Sequence, residues 1–304
     1  MSGRMNAVAA VSDRDGWMVG DCATSSTGAR EGGVSTEHWN GRTWSAQQLA
    51  LPSAALGGGL LSVSAVNGSN AWAAGWDQIS DPAKPGTRPS SHEEGLVAHW
   101  NGRAWQRVAL PRIGTDWLLN SVTAVGADDV WAVGTVAQGD GNVPLALHYD
   151  GHGWTAQRGS TFGGTASAAS GDLLGITAHG RDDVWAVGAY RAPGARGSQA
   201  LVEHWNGRRW ARVATPVGSG PLTGAAAAPG GIVAVGSSTD SAGDGYGLRV
   251  SGGRAVSLGL PANTATSQYA PWAVGFYAGS VTVVGVVDHP GQALPRPMVL
   301  TGRG

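Results

Sequence analysis

Few residues in this chain are both equipped for chemistry and unexplained by its repetition. Histidine titrates nearest neutrality, so a His beside a carboxylate is the simplest proton-transfer pair. Of eight histidines, His38, His99, His148 and His204 each precede an aromatic residue in a recurring segment. That regularity reads as structural, with the rings hydrogen-bonded between repeats. His152 and His179 fall in or beside tight turns. His92 and His289 stand outside both patterns, with Asp77, Glu93, Glu94, Asp116, Asp172 and Asp288 as available carboxylates. His92, His289, Asp77 and Asp116 are therefore the candidate catalytic groups. The competing reading makes them exposed loop charges.

The aromatic residues sort in the same way. Eleven of fourteen tryptophans recur at fixed places: Trp17, Trp72, Trp131 and Trp185; Trp39, Trp100 and Trp205; Trp44, Trp105, Trp154 and Trp210. These are expected in the core. Trp76, Trp117 and Trp272 are left over, and with Tyr190 and Tyr269 they form the candidate substrate-binding set. Such a cluster could stack on an apolar or sugar ligand, or plug the centre of the fold with side chains.

Other chemistries find little support. Cys22 is the only cysteine, which excludes an intramolecular disulfide or a cysteine-based zinc cluster. No H-x-x-x-H, H-E-x-x-H or EF-hand pattern is present, and the glycine motifs lack a strand-to-helix setting, so no metal and no cofactor is expected. Val136–Asn142 lacks the acidic series of a calcium loop. A formal charge of -1 gives no electrostatic basis for binding nucleic acid. No apolar run is long enough for a membrane helix, and Met1–Val11 lacks the apolar core of a secretory signal, so the expected location is cytoplasmic.

The elements that must position these residues follow from repetition. Variants of Asp129-Val130-Trp131-Ala132-Val133-Gly134 recur, ending at Gly20, Gly75, Gly134, Gly188, Gly236 and Gly285, with spacings of 55, 59, 54, 48 and 49 residues. A period of that size marks an array of supersecondary units. Within the third unit, Asn120–Val125, Val130–Thr135, Pro144–Tyr149 and Gly153–Gln157 read as four strands. Trp39-Asn40-Gly41-Arg42-Thr43-Trp44 and its relatives at Trp100–Trp105, Tyr149–Trp154 and Trp205–Trp210 mark the third-to-fourth strand hairpins. Asn-Gly there suits a type I′ turn. Four-stranded sheets bury both faces only by stacking, so the expected fold is all-β. It is a single six-bladed β-propeller over residues 1–304, with blades near 5–50, 60–110, 119–158, 173–215, 222–258 and 270–301. The last blade ends after its third strand, unless the N-terminal segment completes it.

The W-N-G-x-x-W hairpins and D-V-W-A-V-G strands resemble the β-propeller repeat proteins of actinobacteria, a group similar to kelch and Asp-box propellers in setting a Gly turn beside a Trp. The resemblance spans about residues 6–301. It implies the fold and leaves the activity open.

Second-to-third strand loops and blade crossings differ from unit to unit, and function usually sits in such variable loops. They include Ala23–Gly33, Asp77–Glu94, Val136–Asn142, Ala189–Gln199, Ser237–Gly245 and Val286–Arg296, of which Asp77–Glu94 reads as a mobile segment or a lid. The expectation for function is a small-molecule pocket at this face, on the axial channel, with a cofactor-independent cyclase or isomerase of a largely apolar secondary metabolite preferred. A lectin-like carbohydrate binder and a protein-interaction scaffold are the alternatives. The expected partner is an apolar small molecule, a protein partner remaining possible.

Overall fold

The computed structural model describes the chain outside residues 1–2, 23–32, 51, 83–85, 87, 89, 140, 158–169, 193, 196, 217, 238–243, 290, 292–293 and 304. Most of the Ala23–Gly33 and Ser237–Gly245 loops singled out by the sequence lie outside the described residues. Among the described residues, no helix is long and apolar enough to cross a membrane.

Every element among the described residues is a strand. The first sheet holds β1 (Gly3–Ser12), β2 (Asp15–Cys22), β3 (Val34–Trp39) and β4 (Trp44–Gln47). The second holds β5 (Ala55–Asn67), β6 (Asn70–Ser80), β7 (Ser91–Trp100) and β8 (Trp105–Arg107), and the third β9 (Trp117–Gly126), β10 (Asp129–Gln138), β11 (Gly141–Tyr149) and β12 (Trp154–Ala156). The fourth holds β13 (Ser170–Gly180), β14 (Asp183–Arg191), β15 (Gln199–Trp205) and β16 (Trp210–Arg212). The fifth holds β17 (Leu222–Ala228), β18 (Gly231–Ser237), β19 (Gly245–Ser251) and β20 (Arg254–Leu258), and the sixth β21 (Gln268–Tyr277), β22 (Ser280–Asp288) and β23 (Arg296–Arg303). Strand order follows the sequence in each sheet, and the sixth has three strands. Among the described residues, β1 belongs to the first sheet.

The chain forms two compact units: Met1–Asp140 with Leu145–Gln157, and Gly141–Pro144 with Arg158–Gly304. In the first unit, Trp17, Leu60, Trp100 and Trp105 pack between the first and second blades. Trp72, Trp117, Leu147 and Trp154 do so between the second and third. In the second unit, Trp185, Leu222, Ile232 and Leu248 join the fourth and fifth blades, and Val233, Val235, Val283 and Met298 the fifth and sixth. Not all eleven recurrent tryptophans are core. Trp44 is 38% exposed and Trp39 and Trp205 are half-buried. The Trp39 and Trp44 rings meet at a tilt of 41°, with centroids 5.5 Å apart.

The period-setting glycines have a steric cause. A Cβ at Gly75 would overlap the Gly59 carbonyl oxygen, and one at Gly134 that of Leu118. The register slips beside both positions, between Leu60 and Ser62 and between Val133 and Gly134. A bulge in the first strand therefore pushes a carbonyl onto the second, and only a residue without Cβ fits beneath it.

The Asn-Gly hairpins depart from a type I′ turn. Trp39 pairs with Trp44, leaving the four-residue loop Asn40–Thr43, in which only Gly41 has positive φ, 87°. The Asn40 side-chain oxygen accepts the backbone N–H groups of Arg42 and Thr43, both at 3.0 Å. Asn101 and Asn206 act alike, as does Asp150, whose pKa is held below the usual range by the N–H groups of His152 and Gly153. The side chain supplies the turn-closing acceptor, so Asn itself needs no left-handed conformation.

Candidate functional site

The recurrent histidines bond within a blade, not between blades. His38 reaches Asp15 at 2.7 Å, His148 reaches Asp129 at 2.8 Å and His204 reaches Asp183 at 2.8 Å. Each ring lies flat on the tryptophan two residues beyond its partner, with centroids 4.2, 4.0 and 3.9 Å apart. Asp129 and Asp183 therefore anchor imidazoles, a role that their place beside a tight turn conceals. In the second blade Asn70 replaces the aspartate, and burial holds the pKa of His99 below its ordinary range. Among the histidines with described bonds, it is His179 that reaches a neighbouring blade, its Nε2 donating to the Gly231 carbonyl at 2.6 Å. All four stacks are scaffold.

The two ends of Asp77–Glu94 are strand, and residues 83–85, 87 and 89 within it lie outside the described residues. β6 and β7 continue as a ladder in which Asp77 faces Glu94, Gln78 faces Glu93, Ile79 faces His92 and Ser80 faces Ser91. At its tip, Asp81 lies 2.6 Å from His92 Nδ1, and the Ser90 hydroxyl donates to the other Asp81 oxygen. His92 and Glu94, two residues apart, share one strand face, and Glu94 lies 3.2 Å from His92 Nε2. The hydrogen bond to Asp81 raises the His92 pKa, opposed by burial and supported by Glu94. Both ring nitrogens of His92 thus face a carboxylate, an arrangement that favours the protonated ring. Asp116 acts nearby as a positioning group, its carboxylate accepting the Glu93 N–H at 3.1 Å.

Below the clamp, Asp77 is 5% exposed and held by the Arg107 guanidinium through both carboxylate oxygens. Arg107 Nε donates in addition to the Ala50 carbonyl at 2.7 Å. Burial pushes the Asp77 pKa above the usual carboxylate range, against the pull of Arg107. The pair borders a cleft of about 290 Å³ between the second and third blades. Leu96, Leu110, Pro111, Ile113 and Trp117 form its apolar wall, and Asp77, Glu94 and Arg107 its polar side. Trp117 is not an exposed stacking platform: it is 6% exposed and covers Gly95, where any Cβ would overlap its ring. Trp76 is half-buried and faces Gly59 and Gly95 across its two ladders.

The first unit thus brings His92, Asp77, Asp116, Trp76 and Trp117 to the extended β6–β7 hairpin and the strand beside it. The other four candidates lie in the second unit. His289 Nδ1 donates to the Thr266 carbonyl at 2.8 Å, with the Ser267 hydroxyl 3.2 Å away. Tyr269 packs partly into the core between the fifth and sixth blades, its N–H donating to Asn263 at 2.6 Å. Trp272 sits at a register shift in β21 and is 60% exposed. Tyr190, in the fourth blade, lies beneath the Arg212 guanidinium at 3.9 Å.

Arg107 is the site residue that attention to histidines and aromatics misses. A signal for it exists. Trp105-Gln106-Arg107 and Trp210-Ala211-Arg212 place Arg two residues after a fourth-strand Trp, while Asp77 and Tyr190 each stand two residues after a period-setting glycine. The two arginines occupy one repeat position and meet the residue opposite it, one as an ion pair and one over a ring.

A protein of unknown function from Dyadobacter fermentans is similar over 99% of this chain and 95% of its own, with a TM-score of 0.64 and 13% identity. The fold is a six-bladed β-propeller. A Trypanosoma rangeli sialidase in complex with sialic acid has a TM-score of 0.55 at 14% identity, covering 99% of this chain, which spans about half (54%) of the sialidase. YCF48 bound to D1 peptide has a TM-score of 0.53 at 13% identity, covering 97% of this chain and 82% of its own. At such identities the likeness is one of fold. No protein-family model matches the chain, and no curated protein matches it.

Proposed function

We propose that the protein handles a small molecule in the cleft between its second and third blades, and that the ligand has an apolar body and a cationic or hydrogen-bond-donating end. One observation carries this reading. Within about 290 Å³, the wall of Leu110, Pro111, Ile113 and Trp117 faces the half-exposed Glu94 carboxylate and the Asp77–Arg107 pair. A cleft of that size lies at the small end of ligand pockets, which combine apolar walls with a few fixed polar groups. Asp77 is spent on Arg107, so Glu94 is the acceptor offered to the ligand.

The finer reading is a cofactor-independent isomerase or cyclase of a largely apolar secondary metabolite. The wall would hold a flexible chain in one reactive conformation. Glu94 would take a proton from one ligand atom and return it to another, and the His92 imidazolium would steady the carboxylate between the two transfers. A lectin has less support, because the recurring Trp17, Trp72, Trp131 and Trp185 are buried and offer no repeated sugar platform.

The test is a panel of apolar amines, apolar acids and monosaccharides, read by calorimetry and crystal soaks, with proton NMR of bound compounds to detect turnover. Apolar amines should bind in the cleft, at least ~10-fold more weakly to Glu94→Gln, about 1.4 kcal/mol, and not measurably to Ile113→Trp, which fills it. Unchanged binding in both variants, or sugars seated on several blades, would overturn the assignment.

A further inference from the structure

The cleft between the second and third blades is lined by four ionisable side chains, Asp77, Glu94, Arg107 and Arg112. Two of them cancel. The Arg107 guanidinium grips both oxygens of the buried Asp77 carboxylate, and its Nε is held in addition by the Ala50 carbonyl. A guanidinium fixed through all three nitrogens cannot turn toward a ligand, so this pair gives the cleft a rigid polar side with no net charge.

Glu94 and Arg112 remain, one charge of each sign, and they come from different elements. Glu94 stands on β7 and turns one carboxylate oxygen to His92 Nε2, which leaves the other for a ligand. Arg112 lies in the connection from β8 to β9, between Pro111 and Ile113 of the apolar wall. It is exposed, and among the described residues it pairs with no carboxylate. Solvation by water is the ordinary state of such an arginine. What sets this one apart is its place: the apolar residues that flank it in sequence line the same cleft as Glu94. A ligand bearing an ammonium group alone satisfies Glu94 and leaves Arg112 to water. One that carries both charges on an apolar body satisfies the two together.

On the reading of this cleft as a small-molecule site, we infer that its ligand is an apolar amino acid, whose ammonium group bonds Glu94, whose carboxylate bonds Arg112 and whose side chain lies on Leu110, Ile113 and Trp117. A cleft of about 290 Å³ suits one such molecule better than a long chain. The two anchors also give selectivity, because an apolar amine or an apolar acid leaves one of them unpaired. Arg112 is then the specificity-determining residue of the site, and its guanidinium matches the planar carboxylate.

The probes are L-phenylalanine, phenethylamine and hydrocinnamate, which share one apolar body and differ in the charged groups they carry, titrated into the full chain by calorimetry. L-phenylalanine should bind at least ~10-fold more tightly than either of the others. Arg112→Gln, a change at an exposed position, should weaken L-phenylalanine ~10-fold and leave phenethylamine unaltered, whereas Glu94→Gln should weaken both. Phenethylamine binding as tightly as L-phenylalanine, with Arg112→Gln altering neither, would overturn the amino acid and leave the small-molecule cleft standing. Tight binding of L-phenylalanine that Arg112→Gln does not weaken would remove Arg112 as the carboxylate anchor. No binding of any of the three would overturn the amino acid and the amine-binding cleft together.

Discussion

The recurrent histidine stacks and the His92 clamp use the same two groups, an imidazole and a carboxylate, for opposite ends. In the third blade His148 bonds by Nε2 to a nearly buried aspartate, Asp129, and lies flat on the fully buried Trp131. At the tip of the β6–β7 hairpin His92 has a carboxylate on each nitrogen, and Glu94 is 51% exposed on the side chain at the margin of a cleft. A histidine–carboxylate contact therefore says little about function by itself. What separates the two cases is repetition, the buried indole beneath the ring, and whether a partner faces open space.

Three substitutions test that contrast. The largest effect belongs to Trp131→Ala, which empties a fully buried indole site and should cost about 3–5 kcal/mol in chemical denaturation. A loss below about 1 kcal/mol would remove the stacks from the scaffold. His148→Ala, which leaves the Asp129 carboxylate without its imidazole, should cost about 1–3 kcal/mol. If stability held, the hydrogen bond would be incidental to the fold.

His92→Gln should have the smallest effect, and one visible only against pH. The folded-state pKa of His92 is raised, so its stabilisation is complete below the unfolded value near 6.5 and is lost as pH rises through the folded value. Parent and variant should thus differ in melting temperature at slightly acid pH and converge under alkaline conditions. A difference that grows with pH would reverse the assigned charge of the clamp.

The two regions also differ in how far the sequence discloses them. Trp131 and His148 recur at fixed places in four blades, so pattern alone marks them as scaffold, although it misses that the ring bonds to Asp129 of its own blade. The clamp has no repeat behind it. Asp81 and His92 are eleven residues apart, and only the unexpected length of the β6–β7 ladder closes that gap. Trp117 shows the converse. Subtracting the repeat singles it out as a ligand platform, yet the absence of a side chain at Gly95 lets it sink into the core between blades.

The order of residues alone carries the strand count per blade and the burial of most recurrent tryptophans, and it leaves the last blade either three-stranded or completed by the N-terminal segment. These follow from periodic local rules: alternation along strands, turn chemistry at Asn-Gly, and a glycine wherever a bulged carbonyl presses on the next strand. Tertiary contacts alone bring Arg107 onto Asp77 and hold His92 on both nitrogens. Those outcomes depend on which side chains neighbouring strands and blades bring face to face, a contact between distant residues that no local pattern records.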